Sequence, residues 1–502
     1  MVNYPPTWIS LRIQVRIICD SVAVTGNIHF TSLGSSIPFS LGAYETYTYS
    51  LTPSQIEAVY NFETGISNNS LYITSSDLIS VYAYSGLDYG HGDVTNILPA
   101  TTLGTDYYQI THWSYLIGLE AIIYTVVATQ NDTQVFQNGV LKDTINEGQV
   151  YHLITNEDLT GAHITSNYPV AFFSLNSCIA FPAPCGRGDQ QFPPINNWGK
   201  NFFVPNTPHS TSDRVRIVVT KNNTTIILTG GTLQTVPGAQ TNPTNLQAGQ
   251  FVEIKISPTG CYIESDEPIG VCSFIDTDHQ LATPSLCWIP ALEQKISHAL
   301  IAPFIFNGTT QINSHYAVVC THYNTKDDTR VSIGGDIPIE LSGGNWIDHL
   351  ESNMSFYAMP LLNITASYYF SNPAGFIILG YGGGVGASYC YPSGFATRNL
   401  SATFTANDIH YENLQDTIFC AKDVYFKTEI MGELHSAPGS LRWYIDEIEH
   451  IPARDLLEWY KPFENGEYEI KMVALFENGE TTTLVGILKI EVFWMKMRNV
   501  RY

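Results

Sequence analysis

The chain repeats itself, and the repeat is built of strands. A β-rich run, a polar centre of Asn, Asp and Thr, and a second run recur as VVATQNDTQVFQNG at 126–139, IVVTKNNTTIILTGG at 217–231 and VVCTHYNTKDDTRVSIGG at 318–335. Asn and Asp tolerate left-handed backbone, so each polar centre is predicted to be a turn. A glycine followed by an alternating strand comes next, at 41–49, 147–154, 248–256 and 342–350. A third element reads YITSSDLISVYAY at 72–84, HITSNYPVAFFSL at 163–175, YIESDEPIGVCSF at 262–274 and YFSNPAGFIILGY at 369–381. In each copy a strand closes on a Ser-containing turn and a fully apolar strand follows, predicted to be covered on both faces.

Ser75, Ser166, Ser265 and Ser371 mark that turn at intervals of 91, 99 and 106 residues. A repeat of this kind is one supersecondary unit that buries its apolar face against its neighbours. The prediction is an all-β fold with four tandem β-repeat units over about 10–390, as a propeller-like ring or as packed sandwiches. Thr, Val, Ile, Tyr and Phe are abundant, which agrees with strands. The joins between units, such as LGTDYYQI at 103–110 and WGKNFFVP at 198–205, are Pro-rich and aromatic and are expected to lie over the top of the units.

Charge changes the picture near residue 400. The first 400 residues carry 29 acidic and 13 basic groups, and the last 102 carry 17 and 10. That jump in charge density predicts a boundary, with one domain over 1–395 and a second over 405–495. YGGGVGASYCYPSGFATRN reads as a flexible link into the boundary. Short strands with Trp443 in a central one suit a C-terminal Ig-like β-sandwich.

The motifs DLTGAHITSNYPVAFFSLNSC, PPINNWGKNFFVP and YITSSDLISVYAY resemble the N-terminal domain of the IgGFc-binding protein family, in its bacterial or phage form. The resemblance covers roughly 10–390, and the C-terminal part looks like the PKD-like or Ig-like modules that follow such domains. It implies adhesion or ligand binding rather than catalysis, and it carries over no catalytic residue and no ligand contact.

The net charge of −23, with no Lys/Arg cluster, excludes a phosphate-tracking surface, so no nucleic-acid partner is expected. No run of 18 apolar residues predicts a membrane span. The first twenty residues, with two Pro and two Arg, do not read as a signal peptide. The Cys178/Cys185 and Cys272/Cys287 pairs bracket loops and are disulfide candidates, which would mean an oxidising compartment.

Candidate chemistry is sparse. Asp88, His91 and Asp93, and again Asp276, Asp278 and His279, sit close enough to suggest metal, but they read better as solvated loop polars, so no metal and no cofactor is expected. The glycine run GYGGGVG at 380–386 has no helix after it to receive a phosphate and reads as a linker. Arg187, Gly188 and Asp189 form an R-G-D tripeptide beside Cys185, a pattern an integrin ligand would show. Trp113, Trp198 and Trp288 lie near the joins, where exposed indoles would stack on sugars, although core anchors are the commoner fate of Trp.

The expected function is non-enzymatic adhesion through inter-repeat loops, to a host or environmental glycan or glycoprotein, mucin glycans first, from an extracellular or cell-surface location, with self-association open. The alternative is a structural virion protein, fibre or capsid decoration, of a phage of gut bacteria. A carbohydrate-active enzyme stands third and requires a deep cleft with paired carboxylates.

Overall fold

A computed structural model describes residues 11–491 apart from 20–21, 88–89, 113–120, 181–185, 211, 277–281, 305–311, 342, 398–400, 421, 432–433, 435–436 and 476–480. Among the described residues strands predominate and helix is confined to short turns, and the chain divides into two compact units, Met1–Ala396 and Thr397–Tyr502.

Within the first unit one ladder order recurs. Strands β1 (Leu11–Cys19), β2 (Thr46–Ser50), β3 (Ile79–Leu87) and β4 (Gly90–Ile97) pair antiparallel as β2-β1-β3-β4. Strands β5 (Ile122–Ala128), β6 (Val150–Thr155), β7 (His163–Ile179) and β8 (Gly186–Phe192) pair as β6-β5-β7-β8. Strands β9 (Arg214–Val219), β10 (Phe251–Ile256), β11 (Cys261–Phe274) and β12 (Leu286–Trp288) pair as β10-β9-β11-β12. Strands β13 (Ile312–His322), β14 (Met354–Pro360), β15 (Tyr368–Gly384) and β16 (Ala387–Pro392) pair as β14-β13-β15-β16. The last strand of each ladder faces the others: β4 contacts β8, β8 contacts β12, β12 contacts β16, and β16 contacts β4. The four inner strands thus close a ring.

The physical reason lies in the sequence of each middle strand. IIYTVVA in β5 and RVRIVV in β9 are buried along nearly their whole length, because each lies between two neighbours in its sheet and is covered on both faces. The polar centres are turns, with Asp132 and Asn223 at φ 58° and 63°.

The third element differs from expectation. In the first ladder Leu71–Ser75 and β3 are separate strands, but β7, β11 and β15 run unbroken through the Ser-containing motif. A bulge takes the place of the turn: the register against Gly104–Tyr108 shifts between Thr165 and Val170. The first half of each long strand then takes further partners within its sheet, Thr133–Gln137 on β7, Ile226–Thr229 on β11 and Arg330–Ile333 on β15. The joins are members of these sheets rather than overlying loops, since Gly104–Tyr108 pairs with β7, Gly199–Val204 with β11 and Ile296–Ile301 with β15.

The glycine-rich tail is not a link. Tyr381–Gly384 lies in β15 and pairs with β16. A Cβ on Gly382 would stand 2.3 Å from Cε1 of Tyr389, so the glycine exists to let that ring lie flat on the strand.

The second unit has two sheets around one core. One holds Ser401–Ala406, Asp423–Met431 and Glu458–Pro462; the other holds Leu441–Ile445, Gly466–Leu475 and Thr481–Ile490. Trp443 is fully buried, Trp459 stacks on Phe426 at 4.3 Å, and Phe404 meets the Trp443 ring edge-on at 5.2 Å. Among the described residues no helix is long and apolar enough to cross a membrane.

Candidate ligand-binding face

The residues singled out in the sequence mostly serve the ring. Trp198 and Trp288 are 2% and 1% exposed and pack on each other with ring centroids 5.4 Å apart. Trp198 donates its Nε1–H to Pro193 O at 3.0 Å. They are core anchors and cannot stack on a ligand, because the strands flanking them bring both indoles into one cluster. Trp113 lies outside the described residues.

Arg187 and Asp189 are also corrected. Both sit in β8, 1% and 4% exposed, so the R-G-D tripeptide is part of the inner ring and is not displayed. Burial raises the Asp189 carboxyl, and Arg187 beside it opposes that shift. Cys178 is disulfide-bonded; its expected partner Cys185 lies outside the described residues. Cys272 and Cys287 are free. The register pairs Cys272 with Trp288 and Ser273 with Cys287, which sends the two sulfurs to opposite faces of the sheet.

Asp93, expected to be a solvated loop residue, is fully buried in β4. Its Oδ1 accepts from Val94 N at 2.8 Å, Ser285 Oγ at 2.7 Å and Cys390 N at 3.3 Å. Its Oδ2 accepts from Asp189 N and Leu286 N, both at 3.2 Å. Donors from the stretches around β8, β12 and β16 therefore meet on one carboxylate carried by β4. Burial pushes this carboxyl well above the usual range, and the Ser285 hydroxyl and backbone N–H groups pull against the shift. Asp88, Asp278 and His279 lie outside the described residues, and Asp276 is ion-paired with Arg214 at 3.1 Å. Among the described residues no group of three or more His, Cys, Asp or Glu could hold a metal.

A second buried cluster joins neighbouring ladders. Arg216 bridges Glu253 at 2.9 Å and Asp158 at 2.7 Å and donates to Thr111 O at 2.7 Å. Burial opposes ionisation of Glu253, but His112 and Arg216 win and carry it to about 2. These groups are saturated by each other, so the cluster is structural.

What the first unit offers to solvent is elsewhere. Strands Val24–Phe30, Ser35–Leu41 and Leu71–Ser75 form a three-stranded sheet whose middle strand is Val24–Phe30. The alternation is strict. Val24, Ile28, Phe30, Phe39 and Leu41 face the core shared with β1. The register places Thr25, Asn27, His29, Ser36, Pro38, Ser40, Tyr72 and Thr74 on the opposite face, exposed or half-buried. That outer face carries no carboxylate, Lys or Arg in a chain of net charge −23. Tyr72, 54% exposed, stacks on His29 at 4.4 Å with an interplanar angle of 9°. His29 Nε2 lies 2.9 Å from Thr74 Oγ1. A shallow cleft of about 490 Å³ opens beside this pair, with Thr25, Asn27, Pro38 and Thr74 in its walls. Sequence reasoning missed this face, although the odd-numbered hydroxyl and amide positions around Ile28 carried the signal.

A family model described as IgGFc binding protein matches residues 93–382. The chain belongs to this family. The matched stretch begins at Asp93 and ends within β15, so it takes in β8 and β12 of the ring but not β16, and the outer face at 24–75 lies outside it. Human IgGFc-binding protein is 25% identical over 224 residues, 42% of this chain and 4% of that protein, so the chain spans a small fraction of that relative's length. Two solved adhesin chains were also aligned, a 1.5-MDa bacterial ice-binding adhesin and a Ca²⁺-stabilized adhesin of an Antarctic bacterium. At 10% and 9% identity they cover 82% of this chain and 91% and 94% of their own, with TM-scores of 0.14 and 0.13.

Proposed function

We propose that this chain is a non-enzymatic adhesion protein that binds glycans, mucin-type glycans first, at the outer face of the Val24–Phe30 sheet. Membership of a binding-protein family supports the binding role. The single observation that carries the ligand class is the uncharged character of that face around the stacked His29–Tyr72 pair. A sugar presents an apolar C–H face and a rim of hydroxyls. An exposed aromatic ring accepts the first, and Thr, Ser, Asn and His side chains pair with the second. A surface rich in carboxylates would compete for water instead.

An extracellular or surface location follows from this reading, with the second unit as an Ig-like module that spaces the binding unit from its attachment. The test is a glycan array probed with the whole chain and with Tyr72→Ala. Saturable binding to a subset of glycans, weakened about tenfold by Tyr72→Ala at unchanged melting temperature, supports the reading; tenfold is about 1.4 kcal/mol. Equal binding by both proteins removes the face from the account.

A further inference from the structure

We infer that a second site, the cleft formed by residues 57–69, binds an organic ammonium group. It shares no lining residue with the cleft beside the glycan face and does not depend on that reading. The cleft holds about 460 Å³ and is walled by Glu57, Tyr60, Phe62, Glu63 and Ile66.

Its shape is built in advance. The segment leaves a short helix, Pro53–Glu57, and returns as Gly65–Ser67, which pairs antiparallel with Val150–His152 of β6. Asn61 Nδ2 donates to Asn69 O at 3.1 Å, and Asn69 Nδ2 donates to Tyr60 O at 2.6 Å. The Ser67 hydroxyl donates to Asn61 Oδ1. The amides and this hydroxyl are thus spent on holding the loop, which leaves few groups to hydrogen-bond a neutral sugar.

What faces outward is Phe62 and two acidic residues. Phe62 is 49% exposed and is backed by the buried Tyr60, the two rings stacking with centroids 5.8 Å apart at 27°, so Phe62 is the aromatic surface available to a ligand. Glu57 and Glu63 are exposed and, among the described residues, neither is ion-paired. No Lys or Arg lines the cleft. An ammonium on an aromatic face gains roughly 0.5–1 kcal/mol at an exposed site and about 2 when desolvated. Two carboxylates at the rim add attraction that a neutral ligand of the same shape does not feel. A trimethylammonium headgroup and a lysine side chain both supply this chemistry.

The experiment is chemical-shift titration of the whole chain with choline, with Nα-acetyl-lysine methylamide and with 3,3-dimethyl-1-butanol, the neutral isostere of choline. The expected result is saturable shifts from choline, the lysine derivative or both, at least tenfold weaker for the butanol. Which cation binds tighter identifies the source. Phe62→Ala and Glu63→Gln each weaken binding several-fold. Both positions are exposed, so the variants fold, and an unchanged melting temperature checks this. Equal affinity for choline and the butanol, or no saturable shift from either cation, overturns the inference. Glycan binding is unaffected by either variant, so failure here leaves the glycan reading standing, and failure of that reading leaves this one.

Discussion

Cys390 donates its backbone N–H to Oδ1 of Asp93, 3.3 Å away and 297 residues earlier in the chain. That single bond joins the last inner strand of the first unit to the first, and the remaining donors on Asp93 draw in the stretches around β8 and β12. Every partner can donate, and a carboxyl group offers two acceptor oxygens where an amide offers one.

Asp93→Ala is therefore expected to destabilise the first unit by about 3 kcal/mol or more, because buried donors lose their acceptor at about 1–3 kcal/mol for each unsatisfied group. Asp93→Asn is expected to fall between wild type and Ala, since its NH₂ meets N–H groups. Urea denaturation measures both. A loss under 1 kcal/mol for Asp93→Ala would show that the ring closes without this residue.

Gly382→Ala is expected to cost about 1–3 kcal/mol by overpacking, because its Cβ would press into the Tyr389 ring. A linker glycine would tolerate the change. Thermal denaturation of the variant separates the two, with a melting point equal to wild type contradicting the strand assignment.

Much of this architecture was legible before the structure, and the misses share a cause. The three recurring elements located the middle strands because burial on both faces leaves an apolar run that sequence displays directly. The Ser-containing motif predicts a turn where three of the four copies hold an unbroken strand. Ser166 Oγ bonds Tyr168 O at 2.7 Å within an unbroken strand, the same local bond a turn makes. Asp93 in YGHGDV reads as a solvated loop residue, yet a Cβ on the preceding Gly92 would stand 2.4 Å from the Tyr84 hydroxyl oxygen, so that glycine answers to a tertiary neighbour. Cys272 and Cys287 were close in sequence, but their faces depend on a register that spacing does not encode.

Buried titratable groups should make the stability of this protein depend on pH. Burial lowers His152 from 6.5 to about 3 and His315 to about 4, so each contributes stability that is complete above pH 6.5 and is lost as pH falls towards those values. Glu253, held at about 2, contributes above pH 4.5 and loses that contribution below it. Asp213 runs the other way: burial raises it to about 6, so its contribution is present below pH 3.8 and is lost as pH rises through 6. Asp93 and Asp189, also raised by burial, oppose the histidines in the same sense. The histidine share is isolated in His152→Leu, whose urea midpoint is expected to fall less, or rise more, from pH 7 to pH 4 than that of wild type. An identical pH dependence in the two proteins would contradict a buried neutral His152.

Thiol chemistry should report the same packing. Cys420 is exposed, whereas Cys19, Cys261, Cys272, Cys287, Cys320 and Cys390 are buried and free. A maleimide is expected to label Cys420 in the native protein and the other six only after denaturation. Native labelling at Cys272 or Cys287 would mean that the sheet edge at β12 opens.

The most direct test of the binding account is surface plasmon resonance of the whole chain on immobilised mucin, before and after enzymatic removal of its glycans, with wild type and Tyr72→Ala side by side. The account predicts saturable binding by wild type that disappears with the glycans and is about tenfold weaker in Tyr72→Ala. Binding that survives deglycosylation, or that Tyr72→Ala leaves unchanged, would contradict it.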